Sequence, residues 1–318
     1  MKKRTKAAVL SVLFAVSLTL VLYPFFANIH NNRLEKELIV EYEDSVSEID
    51  EADYAGMIAA AQAWNEELYT LIEPSYFPDG LTDSEIYESL LSIGDDGMMG
   101  YVVIPKINVS LAIYHYTDDE VLLKGAGHME ASALPVGGES THCIITAHRG
   151  LPTASMFTDL DRLEIGDVFY LKVLGETFAY EVIQIQEVDP DETSSLLPQY
   201  GKDLCTLVTC TPYGINTQRL LVTGERTEYD EEEYARSVSD TSAVEEAFDA
   251  DYILVYSAAA ESTAYAFLLI YLVKMPPGGF KAQEKGAQKS RRKALRGKIP
   301  GHRKKLRHSR AFKRRSGR

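Results

Sequence analysis

The sequence contains few cysteines, and this scarcity excludes several common ways of building a protein. Its 318 residues include three cysteines and one tryptophan. A small, odd number of cysteines excludes a disulfide framework as the basis of the fold. No two cysteines have the CxxC spacing and no cysteines and histidines have the clustered spacing of a zinc site, so the sequence predicts no zinc site or other metal. We also expect no cofactor.

Basic residues are scarce too, except at one end of the chain. Residues 1–273 carry 15 Lys and Arg against 46 Asp and Glu, whereas residues 274–318 carry 18 basic residues and one acidic residue. The net charges of the two regions are therefore −31 and +17. Such opposite regions are expected in different environments, with the tail disordered near anionic lipid in the cytoplasm. Nucleic acid is not an expected partner, because the main domain is predicted on the other side of a membrane.

Long apolar runs occur twice. Residues 7–27 are long enough to span a bilayer, and four basic residues precede them. We therefore predict an uncleaved anchor, with residues 1–6 in the cytoplasm and the main domain outside; a cleaved signal peptide is the alternative. Residues 252–273, interrupted by Glu261, predict a second membrane helix, with an apolar helix packed elsewhere as the alternative.

Between these runs the sequence pattern changes from helical to β. Residues 28–96 predict one or two amphipathic helices, a proline-rich break and then a short helix over 83–91. Residues 97–226 contain many short β-branched runs joined by turns, which favour a barrel or sandwich, with one short helix near 154–163. Residues 227–251 are acidic and predict a solvated linker with some helix.

Two predicted strands end in reactive side chains. An apolar run over 204–209 ends at Cys210, and the run before His148 has the same form. Arg219 opens the strand that follows Cys210. A thiol, an imidazole and a guanidinium supply a nucleophile, a proton donor and oxyanion stabilisation, which together suit acyl transfer through a thioester. For Cys210 alone, the alternative is a small buried hydrophobic residue.

Other reactive side chains are predicted to be structural. Cys205 lies five positions before Cys210, so on a regular strand it faces the opposite side, toward the core. Cys143 is predicted at a core position, and His115 and His142 at partly buried strand positions. His128 is predicted in a structural loop. A solvated loop, with calcium binding as the alternative, is predicted for Asp189, Asp191 and Glu192.

The ordered motifs resemble those of sortases, the membrane-bound cysteine transpeptidases of Gram-positive bacteria. TLVTC, which ends at Cys210, is similar to the TLxTC signature of the family. TAHRG and NTQRLLV place His148 and Arg219 where the family keeps its other two catalytic residues. The resemblance covers about 97–226. It implies that Cys210 is the nucleophile, that His148 is the general acid and base, and that Arg219 stabilises the oxyanion or holds the substrate.

The resemblance also implies a fold and a location. The fold is mostly β, a closed eight-stranded sortase-like barrel with short helices, preceded by an N-terminal helical segment and flanked by membrane helices at both ends. The catalytic domain is expected on the extracellular face of the cell membrane. Its implied partners are membrane lipid and surface proteins with an LPxTG-like sorting signal, which is cleaved after the threonine.

Three further stretches, LPVGGEST, HRGLPTASMFTDL and CTPYGIN, together with the two apolar runs, most resemble class C sortases, the pilin polymerases. In that class the acceptor is a lysine of the next pilin. The class usually carries a lid with an Asp-Pro-aromatic tripeptide. This chain has SYFPDG instead, so Tyr76, Phe77 and Asp79 are lid candidates, and a simple connecting loop is the alternative.

Other functions remain open from the sequence. A sortase that attaches surface proteins to a peptidoglycan precursor would carry the same motifs. A hydrolytic cysteine protease would differ only in using water as the acceptor. A membrane-tethered β-barrel that binds a partner without catalysis is the alternative from another class.

Overall fold

The structure is a computed structural model of the chain, in which residues 3–71, 84–93 and 97–239 are described. The chain divides into two compact units, residues 1–17 with 257–318 and residues 18–256. Of the first unit only residues 3–17 are described, and they are helical. The lid candidates Tyr76, Phe77 and Asp79, the second apolar run and the basic tail all lie outside the described residues.

Eight strands form the body of the second unit. They are β1 (Met98–Ile104), β2 (Val109–His115), β3 (Ala126–His128), β4 (Thr141–Thr146), β5 (Val168–Val173), β6 (Glu176–Val188), β7 (Asp203–Thr211) and β8 (Gln218–Thr227). Their order around the sheet is β1-β2-β3-β4-β7-β8-β6-β5, and β5 pairs with β1 to close the barrel. The β2–β3 and β4–β7 pairs are parallel and the others antiparallel. The closed eight-stranded barrel predicted by the resemblance is thereby confirmed.

Strand β1 shows how the barrel is covered on both faces. All seven of its residues are buried. Because side chains alternate along a strand, Val102 and Ile104 belong to the main core inside the barrel, whereas Tyr101 and Val103 belong to a second apolar cluster outside it. That second cluster includes Tyr42 of the first helix. The outer face of the barrel is therefore closed by helix packing.

Four α-helices precede or interrupt the strands. They are α1 (Lys3–Ser47), α2 (Glu51–Leu71), α3 (Ser84–Ser89) and α4 (Asp119–Leu122). Within the described part of the chain, α1 is the one helix long and apolar enough to cross a bilayer, with a mean hydropathy of 2.0 in its most apolar window. The apolar run and the first amphipathic segment are thus one continuous helix, because nothing in the sequence between 27 and 33 interrupts helical hydrogen bonding.

The second half of α1 is attached to the barrel by buried hydrogen bonds. The Tyr42 hydroxyl donates to the carbonyl of Met99 at 3.0 Å and accepts from the backbone N–H of Leu174 at 2.9 Å. Nearer the apolar run, Asn31 Nδ2 donates to the carbonyl of Thr153 at 2.9 Å, and Ser155 Oγ donates to Asn28 Oδ1 at 3.1 Å. Helix α1 therefore contacts both β1 and the loop between β4 and β5.

That loop corrects one prediction. A helix was expected near 154–163, but only a three-residue 3-10 turn, Leu160–Arg162, forms there. Backbone bonds within this segment are i to i−3 turn bonds, such as Leu160 N–H to the carbonyl of Phe157, rather than the i to i−4 bonds that a helix requires. Two further bonds tie the segment to the turn after β4, because Phe157 N–H donates to the carbonyl of His148 and the carbonyl of Thr158 accepts from Arg149.

Candidate active site

Cys210 lies at the end of β7, where the buried pattern of the strand is broken. The six residues before it, 204–209, are buried, whereas Cys210 is partly exposed. Pro212 follows Thr211 and cannot donate to the sheet, so the backbone turns there and its carbonyl accepts from the N–H groups of Ile215 and Asn216. The strand thus presents the thiol at the rim of the barrel.

His148 lies two residues beyond the end of β4, the strand that pairs with β7. The parallel ladder of β4 and β7 ends with Thr146 opposite Val208, and Ala147 N–H still donates to the carbonyl of Val208 at 3.1 Å. The Thr209 hydroxyl donates to the carbonyl of Ala147 at 2.8 Å. In the register of this pair, His148 is the position that corresponds to Cys210.

Arg219 approaches the thiol from the other side. It begins β8 and is the direct register partner of Cys210 in the antiparallel β7–β8 pair. Side chains at opposed positions of such a pair have Cβ atoms about 4.5–5.5 Å apart. The guanidinium is held in part by its own strand, because Nη1 donates to the carbonyl of Gln218 at 3.2 Å.

The three predicted residues therefore occupy neighbouring register positions at one end of β4, β7 and β8, in the order His148, Cys210, Arg219. All three are partly exposed, which leaves them accessible to a substrate. The arrangement brings together a nucleophile, an imidazole that can donate or accept a proton and a cation with several hydrogen-bond donors. These are the requirements for forming and resolving a thioester.

A second set of residues surrounds this triad, and the sequence patterns did not single it out. Arg149 follows His148, and its side chain is only 7% exposed. It donates to the carbonyl of Thr158 at 3.1 Å, to Thr211 Oγ1 at 3.2 Å and to Asp161 Oδ2 at 2.5 Å. The signal available in the sequence was that Arg149 and Thr211 directly follow His148 and Cys210.

Gly150 completes the turn after His148. Its φ of +78° lies in the left-handed region that favours glycine, and a Cβ there would lie 3.0 Å from the ring of Tyr213. Tyr213 is 60% exposed, so its ring lies at the surface beside this turn and is not part of the core. Gly150 N–H donates to Thr158 Oγ1 at 3.1 Å.

A buried polar chain crosses the same three strands below the triad. His142 on β4 bonds through Nε2 to Thr206 Oγ1 on β7 at 2.7 Å, and Thr206 Oγ1 bonds to Thr223 Oγ1 on β8 at 2.8 Å. His142 Nδ1 lies 3.1 Å from the carbonyl of Leu197, which can only accept, so we assign the proton to Nδ1. Burial lowers the pKa of His142 to about 4. The prediction of a partly buried position was wrong, since His142 is 2% exposed.

Two further histidines and the two remaining cysteines of the barrel are also buried. His115 is buried, and burial lowers its pKa. His128 is fully buried and bonds to the Tyr87 hydroxyl and the carbonyl of Ala133. Cys143 and Cys205 are register partners within the core, and burial raises the pKa of Cys205. These residues contribute to packing below the triad.

Metal binding was tested on the part of the chain that the structure describes. No group of three His, Cys, Asp or Glu side chains in these ranges has the geometry to hold a metal ion. The acidic side chains for which calcium was the alternative lie exposed in the loop after β6, namely Asp189, Asp191 and Glu192.

Comparison with known proteins gives a consistent result. A sortase-domain family model matches residues 102–227. Sortase D of Bacillus subtilis strain 168 is 34% identical over 130 residues, or 40% of this chain. The match spans 63% of the length of that relative.

Two solved structures are similar over most of the described chain. Sortase C1 of Streptococcus agalactiae shares 45% identity with a TM-score of 0.58, and the match covers 61% of this chain and 100% of that one. Sortase C of Streptococcus pneumoniae shares 44% identity with a TM-score of 0.55, covering 61% of this chain and 97% of that one.

Proposed function

This chain belongs to the sortase family, and from that premise we propose that it is a membrane-anchored cysteine transpeptidase of the pilin-polymerising class. The observation that carries the proposal is the alignment of His148, Cys210 and Arg219 on three adjacent strand ends. The first part of α1 anchors the chain in the membrane, and the barrel works on the extracellular face.

The reaction proceeds in two halves. The Cys210 thiolate adds to the threonine carbonyl of an LPxTG-like sorting signal, and the guanidinium of Arg219 stabilises the resulting oxyanion. His148 gives its proton to the glycine amine as the C–N bond breaks, which leaves a thioester on Cys210. An acceptor amine then attacks the thioester, His148 takes its proton, and Cys210 leaves as the thiolate.

The proposed acceptor is a lysine side chain of a pilin subunit. The support is similarity to class C sortases, since the structure of the Streptococcus pneumoniae enzyme bears on catalysis and pilin substrate specificity. The lid candidates Tyr76, Phe77 and Asp79 stay a prediction from the sequence. If they act as a lid, replacing all three with alanine is expected to increase the rate of Cys210 acylation and leave the product unchanged.

The deciding experiment uses the full chain in detergent with an LPxTG-type peptide and a candidate pilin. Mass spectrometry is expected to show a thioester on Cys210 and then an isopeptide bond to a pilin lysine. Cys210→Ala is expected to abolish turnover, and His148→Ala to reduce it nearly as far.

Each other outcome of this experiment rejects a defined part of the proposal. If the peptide leaves no adduct on Cys210, catalysis is rejected in favour of a binding module. If water is the acceptor in the presence of pilin, the chain is a protease. If a peptidoglycan-type amine accepts the acyl group and pilin lysine does not, the chain attaches proteins to the cell wall.

A further inference from the structure

Arg149 makes contacts that connect the flanks of the triad. Its buried guanidinium donates in three directions, to the carbonyl of Thr158, to Thr211 Oγ1 and to Asp161 Oδ2. Two of these partners belong to the loop that follows His148, and the third directly follows Cys210. One side chain therefore holds both sides of the reaction centre.

The network continues to the strand beside Arg219. Thr211 is 2% exposed, and its hydroxyl accepts from Arg149 and donates to Glu187 Oε1 at 3.2 Å. Glu187 precedes Val188, which is the register partner of Arg219 in the β6–β8 pair. Arg149 and Thr211 are thus the sequence neighbours of His148 and Cys210. Glu187 is the neighbour of the residue that pairs with Arg219.

This network lies where the hydrogen bonds between β4 and β7 end, just before His148 and Cys210. The last bonds between β4 and β7 are Ala147 N–H to the carbonyl of Val208 and Thr209 Oγ1 to the carbonyl of Ala147. Beyond them no ladder fixes the separation of His148 from Cys210. The bond from Arg149 to Thr211 is the next link between the two segments, at the register level directly after the reacting residues.

We propose that Arg149 is a positioning residue, which sets the separation of His148 and Cys210 through Thr211 and holds the loop after His148 through Thr158 and Asp161. Its planar guanidinium suits this task, because a lysine ammonium at the same place has a single donor centre and cannot satisfy three diverging partners. Arg149 acts through its neighbours and needs no contact with the substrate.

This inference rests on the proposed transpeptidase function, and its test measures acylation of Cys210 by an LPxTG-type peptide in the full chain. We expect Arg149→Met to lower kcat by about 10²-fold with little change in KM, since misplacement by about 1 Å has that effect on a reacting pair. Arg149→Lys is expected to lie between wild type and Arg149→Met. The matched control is Arg162→Met, because Arg162 lies in the same loop, is 66% exposed and, among the described residues, forms its ion pair with Asp159.

Thr211 supplies the variants that separate positioning from folding. Thr211→Val removes the hydroxyl at nearly constant volume and is expected to lower kcat, whereas Thr211→Ser keeps the hydroxyl and is expected to restore it. Adding Thr211→Val to Arg149→Met is expected to cost little more than Arg149→Met alone, because both changes break one link. If Arg149→Met fails to fold, the Thr211 pair decides the question alone.

Three results would overturn the inference. These are a wild-type kcat in Arg149→Met, equal kcat in Thr211→Val and Thr211→Ser, or losses that multiply in the double variant. If wild type itself forms no thioester, the proposed function fails instead. Positioning is then decided by alkylation of Cys210 with iodoacetamide, which is expected to slow severalfold in Arg149→Met and Thr211→Val but not in Arg162→Met.

Discussion

Acid unfolding of the barrel should depend on His142, which is buried between the strands that carry the triad. Its Nε2 accepts from the hydroxyl of Thr206, so protonation would force that hydroxyl to turn away and would leave a charged imidazolium buried in the barrel. An unfolded histidine titrates near 6.5, whereas burial lowers the pKa of His142 in the folded chain to about 4. The unfolded state therefore binds an extra proton between these two values.

The sign and size of the effect follow from this difference. Stability from neutral His142 is fully present above pH 6.5 and is lost as the pH falls from 6.5 through about 4. With 1.36 kcal/mol for each pKa unit, the loss amounts to about 3 kcal/mol. That is a large share of the 5–15 kcal/mol by which a typical domain is stable.

The assay is urea unfolding of the barrel at several pH values between 7.5 and 4. His142→Gln keeps a donor and an acceptor but cannot titrate, so its stability should fall by about 3 kcal/mol less than that of wild type. His30→Gln is the matched control, because His30 is exposed on α1 and should leave the pH dependence unchanged. Parallel curves for wild type and His142→Gln would refute the reasoning.

Three further predictions concern the site and the core. Arg219 already gives one donor to the carbonyl of Gln218, so Arg219→Lys would leave fewer and poorly directed donors for the oxyanion. We therefore expect kcat/KM for peptide cleavage to fall about 10²-fold in this variant. Near-normal cleavage would show that a guanidinium is not required at this position. A thiol reagent should modify Cys210 alone in the native chain and all three cysteines in denaturant, and a second fast-reacting native thiol would contradict the burial of the other two. Gly224→Ala should destabilise the barrel by about 1–3 kcal/mol, because the added Cβ would lie 2.7 Å from Phe169. Gly56→Ala has open space around it and should stabilise α2 by about 0.5–1 kcal/mol. Equal effects of the two variants in thermal unfolding would contradict this prediction.

The sequence predicts the positions of the triad because strand ends leave a local signature. Each of the two runs before Cys210 and His148 is apolar and stops at a polar residue followed by a turn. Cys205 could be separated from Cys210 because side chains alternate along a strand, and the structure places Cys205 in the core. For these two cysteines, the alternation of side chains along β7 was enough to predict which one lies in the core.

Contacts distant in sequence left no such signature. Nothing local marks Arg149 as buried, since an arginine in a loop is ordinarily solvated. Its burial depends on Thr211, 62 residues away, and on the loop at 158–161. The contacts of Phe157 and Thr158 with His148 and Arg149 likewise left no local signal, and successive turns form where a helix was expected near 154–163.

Helix α1 also has a consequence for the kinds of molecule that can reach the thiol. The apolar run ends at Ala27, and Asn28 and Asn31 already contact the loop that follows His148. At 1.5 Å of rise per residue, Asn31 lies only about 6 Å further along the helix than Ala27. With the run in the bilayer, as we propose, the bonds of Asn28 and Asn31 hold the loop that follows His148 close to the membrane surface. The preferred substrates would then be proteins still tethered to the same membrane, with the scissile bond held close to the lipid headgroups.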